Sequence, residues 1–373
     1  MPSLYIPGGM ERVLTVKANY FADVMGYEVY IILTDGADKS PYYPLSPNIH
    51  VINLGIDFDE LWHKSFLQKI FIYLKKQTKY RKKLKECLHR IKPDITVSML
   101  RREINFINSI RDGSKKIGEI HINKDNFRDF KQEKSNFIKE IFAKWWMHQL
   151  IGKLKRLDKF IVLTHTDKEK WTELNNTIVI GNPLPFYPQK LSKLTSKRII
   201  AVGRLTHEKG YDRLIKAWKK VTDKHPDWNL HIYGGGNQTE YQKLIDQLNI
   251  QGNCRLESAT AHIEEKYIES SISVLSSRFE GFGMVICEAM ACGLPVVAFD
   301  CPWGPREIIK NNEDGFLIPD DDINMFADKI CYLIENENIR KEMGEKARNN
   351  IQRFKIEEIA KQWDKLFNSL SIK

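Results

Sequence analysis

Residues 271–300 limit what this chain can fold into more than any other stretch. Residues 271–277 (SISVLSS) read as a buried strand. Glu280 follows in a turn with Gly281 and Gly283. Met284–Ala291 reads as a short apolar helix with one carboxylate, Glu288, which Gly293 ends. Pro295–Asp300 (PVVAFD) opens the next strand. Together they form a βαβ unit, and ligands of such sheets bind outside the carboxyl ends of the strands. The glycine turn lies there, and backbone N–H groups at a helix N-terminus suit a phosphate. Alone, this would be an ordinary tight turn with Glu288 facing water. Its neighbours Met284, Val285, Ile286, Ala289 and Met290 are apolar, however, and a carboxylate among them needs a partner.

The run E-G-F-G-x-x-x-x-E-A-M-A-x-G-x-P-V-V-A, residues 280–298, resembles the retaining glycosyltransferases of family 4. The two glutamates stand at that family's E-x7-E spacing. The resemblance implies an α/β, GT-B fold: two Rossmann-like domains with parallel sheets facing a cleft. It also implies a nucleotide-sugar donor, UDP-linked by expectation, and no metal or other cofactor. Glu280 would contact the donor sugar, and Glu288 the ribose hydroxyls. Phe282, Gly283, Met284 and Val285 would border the diphosphate.

The chain's 373 residues suit about two domains. Expected bounds are 1–186 for an acceptor domain and 187–355 for a donor domain, with a helix at 356–373 crossing back. No run of apolar residues is long enough to span a membrane, and MPSLYIPGG does not read as a signal peptide. The six cysteines form no CxxC pair and read as small core residues of a cytoplasmic protein. The net charge of +10 is uneven. Up to residue 190 there are 32 Lys/Arg against 21 Asp/Glu, and after it 26 against 27. Such asymmetry points to nucleic acid or an anionic membrane. With no nucleic-acid motif beside it, no nucleic-acid partner is expected.

The chain opens on a loop and a helix with apolar spacing at Met10, Val13, Leu14, Ala18 and Phe21. A Rossmann half normally starts with a strand feeding such a loop. Only Leu4–Ile6 could serve, so the first strand is expected to be missing or very short, with the recorded start downstream of the true one. By resemblance, Gly8 and Gly9 form the glycine loop near the donor phosphates. Residues 62–92 hold eleven Lys/Arg, one acid and an apolar face, and residues 127–157 are again basic and aromatic. Both suit contact with an anionic membrane from its inner face; for 62–92 a solvated helix packed on the sheet is the competing reading, and 127–157 equally suits a core helix. His121 ends a strand. Such a histidine is usually structural, but the resemblance puts it beside the transferred sugar.

Pro183, Pro185 and Pro188 mark a linker. Past it, RIIAVGRLTHEKG gives a strand, then Arg204 and Lys209. An arginine fork and a lysine point charge can clamp a diphosphate. A strand ending in three glycines follows, and Gly234 would let the backbone approach the nucleotide. Asp320–Asp322 read as helix-capping residues rather than a metal site. CPWGPREII resembles family members that build bacterial surface glycans on lipid-linked acceptors. Competing functions are a sugar-nucleotide epimerase, a hydrolase with two carboxylates on one bond, and a non-catalytic donor-binding subunit.

Overall fold

The computed structural model describes residues 1–63, 65–126 and 137–371. The chain divides into two compact units, Met1–Pro183 with Ile356–Lys373, and Leu184–Lys355.

The first unit runs α1 (Gly9–Asp23), β1 (Val29–Leu33), β2 (Ile49–Asn53), α2 (Phe66–Ile91), β3 (Ile95–Ser98), β4 (Lys115–Glu119), α3 (Phe137–Leu154), β5 (Lys159–Val162), α4 (His165–Lys170) and β6 (Thr177–Val179). Extended Gly8 caps α1. At the start of α2, Gln68 accepts from the Ser65 amide. The helix stops where Lys92 turns left-handed ahead of Pro93. The strands form two parallel sheets, β1-β2 and β3-β4-β5-β6. No strand forms at Leu4–Ile6.

Part of the basic run on α2 has a structural job. Lys76 donates to the carbonyls of Ile56 and Asp57, Lys79 to Gly55 and Lys83 to Leu54, holding the loop that leaves β2. The helix buries Tyr80, Leu84 and Leu88 in the core and leaves Ile70, Phe71 and Leu74 exposed. On α3, Ile141 and Trp145 are exposed while Leu150 and Leu154 are buried. Part of the predicted 127–157 membrane segment, residues 127–136, lies outside the described residues.

The second unit runs β7 (Arg198–Val202), α5 (Tyr211–Lys224), β8 (Asn229–Tyr233), α6 (Thr239–Gln247), β9 (Cys254–Glu257), α7 (Ile263–Ile268), β10 (Ile272–Leu275), α8 (Met284–Ala291), β11 (Val296–Phe299), α9 (Pro305–Ile308), β12 (Gly315–Ile318), α10 (Ile323–Glu335) and α11 (Glu337–Asn350). Its parallel sheet has the order β12-β11-β10-β7-β8-β9, the doubly wound order of a Rossmann unit. Strands β10 and β11 are buried at every residue, as a sheet covered on both faces demands. Leu214, Trp218, Leu230, Phe299 and Phe326 fill the core. Asp322 caps α10 by accepting from the Met325 amide, as its sequence position predicts. The last helix, α12 (Ile356–Ser371), packs on α1 in the first unit.

Candidate functional site

In the second unit the chain order reverses between the neighbouring strands β7 and β10. The crevice at the carboxyl ends of two such strands is where a doubly wound sheet binds its ligand. The loop after β7 carries Arg204 and ends in a 3-10 turn, His207–Lys209. The loop after β10 carries Glu280. Lys209 Nζ donates to Glu280 Oε1 at 2.7 Å, and Ser277 Oγ donates to the same oxygen at 2.6 Å. Both charged side chains are largely buried, at 18% and 9% exposure. They are in ion-pair contact although 71 residues apart in the chain.

Two arginines fix the loop that holds Glu280. Buried Arg213 on α5 donates to the carbonyls of Ser276 (2.8 Å) and Ser277 (2.6 Å) and pairs with Asp320. Arg278 grips Asp212 through both terminal guanidinium nitrogens, at 2.9 and 2.7 Å. These planar forks meet defined acceptors, so the carboxylate of Glu280 sits on an anchored backbone.

Helix α8 begins beside it. Gly283 caps the helix with φ 96°, a conformation that a side chain would strain. Ile286 and Cys287 donate back to the Gly283 carbonyl, so the first-turn amides, including Met284 and Val285, are those a helix leaves without intrahelical acceptors. Glu288 is 6% exposed. Its Oε2 accepts from Tyr267 Oη at 3.3 Å, which supplies the partner that its apolar surroundings require. Burial, reinforced by that carboxylate, raises the Tyr267 phenol well above its ordinary pKa.

Phe282 lies in the glycine turn between Gly281 and Gly283. Its ring is buried edge-on against Phe354, 5.3 Å between centroids, so its side chain serves packing and only its backbone borders the turn. Gly234, just past β8, lies so close to the β7 loop that a Cβ there would come within 1.8 Å of the Gly203 carbonyl oxygen. Arg204 lies on that loop, its side chain 76% exposed and 3.4 Å from Glu208.

The first unit carries Gly8, Gly9 and His121. Gly8 and Gly9 form the start of α1. His121 Nε2 lies 3.2 Å from Glu119 Oε1, and the same oxygen pairs with buried Lys17. Lys17 stands 4.7 Å above the Trp363 ring. Burial pushes the Glu119 carboxyl up, but Lys17 and His121 outweigh it and hold it at about 2. Sequence reasoning missed Ser277, Arg213, Tyr267, Lys17 and Glu119. Glu119 alone left a local signal, an acid ending the apolar run that leads to His121.

Residues 185–350 match the family model described as Glycosyl transferases group 1. The matched stretch holds Arg204, Lys209, Gly234, Glu280, Gly283 and Glu288. The chain is 38% identical over 211 residues to an uncharacterized glycosyltransferase of Haemophilus influenzae, covering 55% of this chain and 60% of that protein. It is 32% identical over 271 residues to the poly(ribitol-phosphate) alpha-N-acetylglucosaminyltransferase of Staphylococcus aureus, covering 71% and 53%. The chain thus spans little more than half the length of these relatives. The fold is like that of a point mutant of Staphylococcus aureus TarM, solved with fondaparinux, alpha-GlcNAc-glycerol and UDP. That match has TM-score 0.78 and 19% identity, over 99% of this chain and 98% of that one. The likeness shows the GT-B glycosyltransferase fold.

Proposed function

We propose that this protein is a retaining, family 4-type glycosyltransferase that moves a sugar from a UDP-sugar to a hydroxyl of a surface-polymer or lipid-linked acceptor. The Lys209–Glu280 contact at the sheet's reversal point carries the reading. Breaking the sugar–phosphate bond leaves negative charge on the departing diphosphate. Lys209, Arg204 and the first-turn amides of α8 meet that charge, the fixed electrostatics that dominate such catalysis. Glu280 orients Lys209 and contacts the donor sugar, whose developing positive charge it offsets. Glu288 accepts from the ribose hydroxyls. The leaving phosphate takes the acceptor's proton, and no resident metal enters the scheme. His121, Gly8 and Gly9 are assigned donor contacts on the family resemblance alone. The UDP in the TarM structure and the ribitol-phosphate acceptor in the Staphylococcus aureus enzyme's name support the choice of donor and acceptor class.

The exposed start of α2 supports a membrane-facing role within the same reading. Ile70, Phe71 and Leu74 are 46%, 74% and 59% exposed, and Lys75, Arg81, Lys82 and Lys85 are exposed further along the helix. Apolar residues beside cations suit an anionic bilayer surface. No helix among the described residues is long and apolar enough to cross a membrane.

A thermal-shift panel of UDP-, GDP- and ADP-sugars in EDTA buffer tests the donor reading. The UDP-sugars should raise the melting temperature and the others should not. Stabilisation by none of them would overturn it.

A further inference from the structure

Glu288 stands on α8 among buried Ile286, Cys287, Ala289 and Met290. Tyr267 reaches it from α7, which packs on α8. The tyrosine is fully buried. Its hydroxyl lies 3.3 Å from Glu288 Oε2 and 3.3 Å from the Val285 carbonyl oxygen. It has one proton to give, and an ionised acceptor makes the stronger bond. Burial keeps the phenol protonated, so toward the carboxylate it acts as a donor at any ordinary pH. Both distances are long for a hydroxyl donor, and such bonds tighten when a site closes on its ligand.

The backbone under Tyr267 is pinned. The Ser270 amide donates to the Tyr267 carbonyl at 2.9 Å, and the Ser270 hydroxyl donates to the Lys266 carbonyl at 2.7 Å. The Ser196 hydroxyl donates to the Glu269 carbonyl at 2.7 Å, and Arg198 donates to the Glu269 carboxylate at 2.9 Å. These bonds tie the end of α7 to the segment that enters β7. A phenol on a fixed backbone is a rigid donor. A glutamate side chain has more torsions, and a directed hydrogen bond selects among its rotamers.

A carboxylate accepts about four hydrogen bonds, so the bond from Tyr267 is compatible with others from a ligand. A buried group built to bond a hydroxyl rejects a ligand that lacks it, because the group is then left short of a partner. We propose that Tyr267 is a positioning residue that sets Glu288 for the ribose hydroxyls, and that the pair makes this chain select ribonucleotide donors over 2′-deoxyribonucleotide donors. The inference rests on Glu288 as the acceptor for the ribose, and it adds which nucleotide-sugars are turned away and which residue enforces it.

Calorimetric titration with UDP and 2′-deoxy-UDP tests it. The parent should bind UDP at least about tenfold more tightly than 2′-deoxy-UDP. Tyr267→Phe keeps the ring and removes the hydroxyl. It should weaken UDP about fivefold or more and leave 2′-deoxy-UDP within about twofold, so that most of the preference is lost. In a Glu288→Ala background the same change should alter UDP affinity by less than about twofold, since the two residues act as a unit. Equal weakening of both nucleotides by Tyr267→Phe would assign the hydroxyl to stability alone and overturn the proposal, as would a variant that keeps the parent's preference. A parent that binds UDP without preferring it to 2′-deoxy-UDP would remove Glu288 from the ribose, and the proposal with it. A parent that binds neither would overturn the donor assignment itself.

Discussion

Glu280 and Glu288 were legible because each breaks a local rule, one beside a glycine turn and one inside an apolar helix. What they touch was not legible. The Lys209 contact crosses 71 residues of sequence, and Tyr267 reaches Glu288 from a different helix. Neither leaves a trace in local periodicity. The buried triad Lys17–Glu119–His121 was hidden for the same reason, and it carries a pH dependence. The Glu119 carboxyl lies near 2 in the fold against 4.5 ordinarily. A lowered carboxylate pKa adds stability above the unfolded value, and that stability is lost as protons bind. Chemical denaturation should therefore show stability falling between about pH 4.5 and pH 2. Removing the cation in Lys17→Met would leave a buried carboxylate facing only His121 and should cost about 3–5 kcal/mol at neutral pH. The variant should also lose most of that acid-side dependence. A variant as stable as the parent, with an unchanged pH profile, would mean that the triad contributes nothing.

At the scale of elements, the β10–α8–β11 unit could be read directly, since buried strands and a glycine-capped helix announce themselves by composition. The meaning of the basic run on α2 could not. Its lysines are alike in sequence, yet Lys76, Lys79 and Lys83 bind backbone carbonyls of the β2 loop while Lys75, Lys82 and Lys85 stay exposed. Only the position of the loop separates the two groups. If the exposed face docks on anionic lipid, the protein should sediment with phosphatidylglycerol vesicles and not with phosphatidylcholine vesicles. Salt should weaken the binding, as surface charges are screened. Phe71→Asp with Leu74→Asp should reduce binding about tenfold or more, since both apolar contacts are lost. Equal binding by the double variant would remove α2 from the account.

At the scale of the whole molecule, the class of fold followed from the family resemblance and the βαβ unit at 271–300, and each unit is a parallel α/β layer structure. Strand order did not follow from the pattern, because periodicity says which residues are buried and not which strands are neighbours. The order β12-β11-β10-β7-β8-β9 makes β7 and β10 adjacent, and so turns a distant lysine and glutamate into one site. In the first unit, Leu4–Ile6 form no strand, as the shortness of that stretch foretold. The central claim is that the Lys209–Glu280 site receives the diphosphate of a UDP-sugar. Calorimetric titration of UDP into the parent protein and into Lys209→Ala tests it most directly. The parent should bind UDP, and the variant should bind it at least about tenfold more weakly, as loss of a charge-assisted contact of about 1.5–3 kcal/mol requires. Equal affinity in the two proteins would contradict it.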